Sequence, residues 1–437
     1  MNQPQSQTQK ICYMHELPDL EDIIDFIEPI NEINMNTVQI IESCLELIDA
    51  YINENPHLIA EPEFEEIIIE DVTDFFLEQM DDTLIELEKD NIEELVEYAV
   101  EYYFEWVEPP RSYPDTILLV NPDIKKIEKQ LAYLKSKPQP VQRTPEWYQT
   151  RHNLITASNA YKAFENESTR NQLIYEKCQP LVIKDVSTSA PSQVNINTTL
   201  HWGQKYEPLS VLLYEYLYKT KVDDFGCIPH DTYKFIGASP DGINVDPESP
   251  RFGRMLEIKN IVNREIDGIP KKEYWVQMQM QMETCDLPEC DFLETKFGEF
   301  ESLEDFQKET EKRKGIIMYF ANNEGNPQYK YSPLHLETLV ELEQWETEMM
   351  EKTELTWIQN YYWKLEIISC VLVPRNKRWF EKNVQDLQEV WNTILYERET
   401  GYEHRGPTKR TKTNTIQQAE VFESVCLIDI TGKIKNA

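Results

Sequence analysis

Apolar positions recur along this chain with helical spacing at its start and with mixed spacing further on. Val38, Ile41, Leu45, Ile48 and Ile52 return every three or four residues, as do Ile92, Leu95, Ala99, Tyr102 and Trp106. That is the period of one face of a helix. Asn91 with Glu94 three positions later predicts a capping box at the start of the later helix. Turn signals at Glu28-Pro29, Asn55-Pro56 and Pro109-Pro110 separate the pieces. Past residue 140, Thr144-Pro145-Glu146 predicts a helix opening, with threonine as cap and proline in the first turn. It sets Trp147 and Arg151 on one face, and Thr156-Ala157-Ser158-Asn159 reads as a second helix start. Leu209, Leu212, Leu213, Tyr216 and Leu217 form a helical stripe. Pro208 is tolerated only in a first turn, which places Glu207 at that helix's N-terminus. The alternation Tyr233-Lys234-Phe235-Ile236 and the apolar run Met255-Leu256-Glu257-Ile258 read as strands, joined through the proline- and glycine-bearing stretch Asp246 to Gly253. In a further helix Tyr274, Gln277 and Gln281 share one face, while Met278, Met282 and Cys285 follow a core stripe.

Charge sharpens the division. The 437 residues carry a formal charge of −36, unfavourable for a protein that binds nucleic acid. Residues 1–110, however, hold 30 Asp and Glu against Lys10 and Lys89, a net of −28, which leaves −8 for everything else. Basic groups do occur there: Lys125, Lys126, Lys129, Lys135, Lys137 and Arg143, then Lys271 with Lys272, Arg375 with Lys377 and Arg378, and Lys409 with Arg410 and Lys412. A basic groove in a near-neutral region is compatible with this composition. The acidic part reads as helical with a polyanionic exterior, suited to a scaffold, to docking of a basic partner, or to mimicry of DNA.

The candidate chemistry lies between Gly237 and Lys259. Asp241 sits in a tight Pro-Asp-Gly turn at a strand end, and Glu257 and Lys259, two apart, project from one face of the next strand. Two carboxylates and the backbone carbonyl of Ile258 suit magnesium, a hard cation that keeps several waters. Its spare positions would take a phosphate oxygen and the attacking water. The same residues also suit a hairpin with an exposed salt bridge. Arg151, beside the free N–H groups expected at Thr156 to Asn159, suits a phosphate.

The ordered series Trp147-x3-Arg151-x3-Ile-Thr-Ala-Ser158, Trp202-Gly-x-x-Tyr-Glu207, Ser239-Pro-Asp241-Gly, Leu256-Glu-Ile-Lys259 and Tyr274-x2-Gln277-x-Gln279 resembles the phage-lambda-type exonuclease family, the YqaJ-like viral recombinases. These belong to the PD-(D/E)XK nucleases. The likeness covers roughly residues 140 to 295, and Tyr361 to Glu366 with Val371 to Phe380 resembles versions from large DNA viruses. It implies an α/β restriction-endonuclease-like core, a mixed sheet flanked by helices. Asp241 and Glu257 would be the principal metal ligands, Glu207 a further acidic residue able to reach the metal, and Lys259 the group that orients or activates the water or offsets charge. Tyr274 and Gln277 would line the site, and Arg151, Ser158 and Ser239 would hold a terminal 5′-phosphate. The implied activity is a magnesium-dependent exonuclease, with manganese as a substitute, resecting duplex DNA ends from the 5′ side for recombination or repair by strand annealing. A single-strand annealing protein is the implied partner, and oligomers are compatible with the family. An endonuclease of the same fold and a catalytically silent binding protein are the alternatives.

The expected organisation is an acidic all-helical domain over 1–110, a basic linker or helix over 111–140, the nuclease domain over 141–402, and a basic linker with a tail over 403–437. Ser187 to Thr199 reads as a polar loop, and Val421 to Ile430 as a short apolar end. The eight cysteines are scattered and lack the grouping of an iron–sulfur or zinc site. Reduced thiols, no signal-peptide pattern and no membrane-length apolar run predict an intracellular, reducing location.

Overall fold

The computed structural model describes residues 35–79, 89–116, 123–181 and 195–406, apart from positions 143, 197, 311 and 324. Arg143, Lys409, Arg410, Lys412, the polar stretch from Ser187 to Val194 and the apolar end Val421 to Ile430 lie outside the described residues.

Three helices open the fold: α1 (Met35–Glu54), α2 (Phe64–Gln79) and α3 (Lys89–Trp106). Ile41, Leu45, Ile48 and Ile52 of α1 are buried as their spacing predicts, against Phe64, Ile68 and Val72 of α2 and Ile92, Leu95, Val96 and Ala99 of α3. The expected capping box at Asn91 does not form, because α3 begins at Lys89 and Asn91 already lies inside it. These helices are not isolated from the rest of the chain. One continuous apolar cluster runs from Ile41 to Ile394. Polar ties reinforce it: Arg378 pairs with Asp49 at 2.7 Å, Lys272 with Glu61 at 2.6 Å, and Trp275 Nε1 donates to the Arg111 carbonyl at 3.0 Å.

After the short strand β1 (Tyr113–Pro114), α4 (Ile124–Ser136) is capped by the Asp123 side chain and buries Ile127, Leu131 and Leu134. Helix α5 (Pro145–His152) starts as read, with Thr144 accepting from the Trp147 N–H and Pro145 in the first turn. Strand β2 (Ile155–Thr156) leads into the single turn α6 (Ala157–Ala160), and α7 (Glu167–Cys178) follows. Helix α8 spans Thr199–Tyr218, capped by Thr198, so it starts eight residues before Glu207. Glu207 is therefore in mid-helix, and Pro208 is an interior proline at the cost of one backbone hydrogen bond. The buried face is His201, Lys205, Tyr206, Leu209, Ser210, Leu213 and Tyr214, whereas Tyr216 and Leu217 of the expected stripe are exposed. Polar residues that bond into the sheet occupy part of this face, which hid its direction from a purely apolar count.

Strands β3 (Val222–Asp223), β4 (Ile228–Pro229), β5 (Ile236–Ala238), β6 (Gly242–Asn244) and β7 (Met255–Asn260) precede α9 (Lys272–Cys285) and β8 (Glu289–Glu299). Then come α10 (Leu303–Lys308), β9 (Lys314–Ala321), β10 (Pro327–Tyr331), α11 (Leu339–Glu351), β11 (Thr356–Pro374) and α12 (Lys377–Thr400). The main sheet has the order β10-β9-β11-β8-β7-β6-β3, with β1 paired to β11. Within it β7 and β8 run parallel, joined across α9, while β6 and β7 form an antiparallel hairpin with Gly242 opposite Leu256. This is a mixed sheet flanked by helices. The strand read at Tyr233 to Ile236 is shifted to Ile236–Ala238 and belongs to a second sheet, β2-β5-β4. The Pro-Asp-Gly segment is likewise less of a turn than expected, since Gly242 is already in β6. A Cβ there would stand 2.1 Å from Val222 Cγ1, so close strand approach requires the glycine. At the end, Glu403–Arg405 form a helical turn with Arg405 bonded to Glu397, rather than a loose linker. Among the described residues no helix is long and apolar enough to cross a membrane.

Candidate active site

Strand β7 presents Glu257 and Lys259 on one side, and α9 covers them. Glu257 is 1% exposed. Its Oε1 accepts from Lys259 Nζ and from Gln277 Nε2 at 2.8 Å, and its Oε2 accepts from Gln281 Nε2 at 2.7 Å. The face predicted for Tyr274, Gln277 and Gln281 thus meets the carboxylate, and the Tyr274 ring lies 4.8 Å from the Lys259 ammonium. Gln279 points the other way and bonds the Pro374 carbonyl at 2.9 Å and the Asn376 N–H at 2.7 Å, fixing the junction of β11 and α12. Met278, Met282 and Cys285 are core, as their stripe predicts.

Asp241 leads into β6, and its Oδ2 accepts from the Ile258 N–H at 2.7 Å, which ties the hairpin's two strands together beside Glu257. Burial, then the Glu257 charge and, more weakly, that of Glu207 push the Asp241 carboxyl well above the usual carboxylate range, while Lys259 pulls it back. Burial disfavours the Lys259 ammonium, but Glu257 and Asp241 outweigh it and hold its pKa above the ordinary lysine value. The two carboxylates therefore favour the charged form of Lys259.

Glu207 reaches this place from α8, which is tied to the sheet on both sides. Asn260 Nδ2 donates to the Gly203 carbonyl at 3.3 Å, and Ser210 Oγ donates to Asn260 Oδ1 at 2.7 Å. Further along, Tyr214 donates to Asp291, a fully buried carboxylate that also pairs with Arg251 and Arg254. Sequence reasoning missed this network. Its signal was Arg251 in the stretch read as a plain connection and Arg254 just after it, both buried because β8 supplies the charge they need.

The residues read as phosphate ligands come together through the small sheet. Strand β2 runs parallel to β5 with Thr156 opposite Gly237; Ser158 lies in the helical turn that follows β2, and Ser239 directly follows β5. Arg151 Nη1 donates to Ser239 Oγ at 3.3 Å, and its guanidinium stands 4.6 Å from the Trp147 ring centre. Burial lowers the Arg151 pKa, with the Cys227 thiol beside it. Ser158 is exposed, its Oγ 3.3 Å from Thr156 Oγ1. Two further contacts were not foreseen. Lys177 supports Arg151 by donating to its carbonyl at 2.7 Å, and Gln281, besides binding Glu257, stands 3.4 Å from the Ser239 carbonyl.

The residues fit a hard cation. Two carboxylates repel each other with one ammonium between them. Glu257 receives three hydrogen bonds on about four lone-pair sites, which leaves room for a ligand bond. Among the described residues no three His, Cys, Asp or Glu side chains stand close enough to enclose an ion, so backbone or water oxygens would have to complete the set. The six described cysteines are free and do not cluster as a metal site.

Residues 146–288 match the YqaJ-like viral recombinase domain. That segment, less than half of the chain, is similar to this family's domain. Every residue assigned above to the acidic pair, to α9 and to Arg151, Ser158 and Ser239 falls within the YqaJ-like domain, while the acidic helices and β9 to α12 lie outside it. The uncharacterized protein R354 of Acanthamoeba polyphaga mimivirus is 29% identical over 339 residues, which are 68% of this chain and 60% of that protein. The chain thus matches three-fifths of the relative's length. Among solved structures, the alkaline exonuclease LHK-Exo of Laribacter hongkongensis aligns over 60% of this chain and 95% of its own at 19% identity, with a TM-score of 0.33. The same enzyme in complex with dAMP gives 0.32.

Proposed function

We propose that this chain is a magnesium-dependent deoxyribonuclease that degrades duplex DNA from the 5′ end. The observation that carries the reading is the coupling of two sites. Ser239, the partner of Arg151, is two residues from Asp241, and Gln281 touches both the Ser239 carbonyl and Glu257. An anion pocket and an acidic pair sharing one side chain suit a phosphodiester held at one phosphate and cut at a neighbouring one.

Asp241, Glu257 and the Ile258 carbonyl would hold the magnesium ion, with Glu207 acting through water. The ion, when bound, supplies Lewis-acid polarisation of the phosphodiester and a position for the attacking water. The chain's own groups do the rest. Arg151 and Ser239 bind the terminal phosphate, and Trp147 fixes the plane of the guanidinium by stacking on it. Lys259, as an ammonium, stabilises the negative charge that grows on the non-bridging phosphate oxygens as water adds to phosphorus and the bond to the leaving oxygen breaks. The attacking water gives its proton to solvent, and the leaving oxygen takes one from solvent. Gln277 and Gln281 hold Glu257 in one orientation, and Tyr274 confines Lys259. In this reading the single-stranded product feeds recombination or repair through a strand-annealing partner inside the cell.

The test is a magnesium titration on linear duplexes bearing a 5′-phosphate or a 5′-hydroxyl and on closed circular DNA. Mononucleotide release from the phosphorylated duplex, with circles left intact, is the expected result. Cleavage of circles would replace the exonuclease by an endonuclease. No hydrolysis with magnesium or manganese would leave a binding protein.

A further inference from the structure

A groove between α2 and α3 takes no part in the nuclease reading. Its wider section, 380 Å³, has Ile69, Val100 and Phe104 as an apolar floor. A second section of 320 Å³ shares Ile69 and Glu97 with the first and continues to Thr73. From Glu65 to Thr73 the α2 wall spans eight residue steps, about 12 Å, or two helical turns. Glu65, Glu66 and Glu70 rise along the α2 side, and Glu93, Glu97, Glu101 and Glu105 along the α3 side. Among the described residues, no lysine or arginine lines either section. Arg111, whose charge reaches Glu65, spends its donors on the carbonyls of Ile59, Ala60 and Pro270.

A second observation, independent of the charge, concerns Thr73. Its side chain is 1% exposed and lines the groove, yet its hydroxyl has no hydrogen-bond partner. Buried hydroxyls are almost always paired, so this one lacks a partner that something else would supply. Glu65 points the same way: partial burial and the facing Glu101 raise its carboxyl pKa, with Arg111 opposing.

We infer that this groove is a docking site for a lysine- or arginine-rich amphipathic helix of a partner protein. The partner's apolar stripe would lie on Ile69, Val100 and Phe104, its basic flanks between the two rows of glutamates, and a polar group on Thr73 Oγ1. An apolar floor with charged walls is the arrangement that receives an amphipathic helix. The rim repels nucleic acid, which makes the partner a protein.

The experiment titrates a fluorescein-labelled Leu/Lys amphipathic peptide of about 18 residues onto the full chain, beside a scrambled peptide of the same composition. The amphipathic peptide should bind one to one and at least about tenfold more tightly than the scrambled one. Combining Glu97→Gln with Glu101→Gln should weaken it roughly fivefold, as for two exposed ion pairs, and the difference should fade at high salt. Thr73→Val should weaken the peptide while raising Tm, because the unpaired hydroxyl is gone. DNA cleavage should be the same in all these variants. Equal affinity for the two peptides, or no effect of the double substitution, overturns the inference. So does a carbodiimide cross-link, in the absence of peptide, joining Lys409 or Lys412 to Glu97 or Glu101 of the same chain, since the occupant would then be the chain's own C-terminal segment.

Discussion

Gln279 and Gln281 are two residues apart on α9, equally buried and chemically identical, yet their substitutions should fail in opposite ways. Gln281 Nε2 is 2.7 Å from the Glu257 carboxylate, whereas its Oε1 is buried without a partner. Gln281→Met keeps length and volume. It removes a hydrogen bond to a charged group, worth about 1.5–3 kcal/mol, and also an unsatisfied carbonyl that costs about 1–3 kcal/mol. The two nearly cancel in stability, leaving a net change within about 1 kcal/mol. They do not cancel in function, because Glu257 loses one of three donors. If that bond acts only by orienting the carboxylate, the loss in turnover is at most about one to two powers of ten. Gln279→Met strands the buried Pro374 carbonyl and Asn376 N–H, about 1–3 kcal/mol each. It should lower Tm clearly while leaving turnover of the folded protein near wild type. Initial rates on an end-labelled duplex with magnesium, paired with thermal scans, separate the two. Wild-type turnover in Gln281→Met, or a loss in folded Gln279→Met greater than in Gln281→Met, would refute the assignment of this helix face.

Asp241→Ala and Glu257→Ala should nearly abolish cleavage in chains that still fold; Lys259→Arg should fail to rescue, because a planar guanidinium cannot replace a compact ammonium held among Glu257, Gln277 and Tyr274. Near-wild-type rates in any of them would remove the site. Arg151→Ala should slow digestion of 5′-phosphorylated ends about tenfold or more relative to 5′-hydroxyl ends; equal losses on both would place Arg151 in general DNA binding or folding. Burial, with Arg151 and Arg398 adding repulsion, lowers the Lys177 pKa from 10.5 to about 7. Between those values the unfolded chain holds a proton that the native one releases, so this residue's contribution to stability rises with pH across the window. Lys177→Met should therefore show its most favourable Tm difference from wild type at or below pH 7, and that advantage should shrink towards pH 10. A difference that moves the other way would mean that Lys177 is charged in the native state.

Much of the site was legible because it is local. Asp241, Glu257 and Lys259 lie on one hairpin, Trp147 and Arg151 on one helix, and Tyr274, Gln277 and Gln281 on one helical face, so spacing alone brought each group together. Glu207 was placed wrongly within its helix because proline argued for a first turn, and only the packing of His201, Lys205 and Tyr206 against the sheet extends α8 eight residues back. The buried pairing of Arg251 and Arg254 with Asp291 was invisible, since its members are about 40 residues apart and charged residues read as surface.

The sequence by itself determined the helical period of the acidic region, the chemistry of the hairpin and the family likeness, because each depends on residues within a few positions of one another. Tertiary structure decided what lies beside what. The parallel pairing of β2 with β5 delivers Arg151 to Ser239, and α9 turns Gln281 towards both Ser239 and Glu257. The acidic helices share one apolar cluster with the YqaJ-like region, a contact that no local pattern encodes. Periodicity fixes which face of an element is apolar, but only the closing of the chain over long loops selects the face it meets.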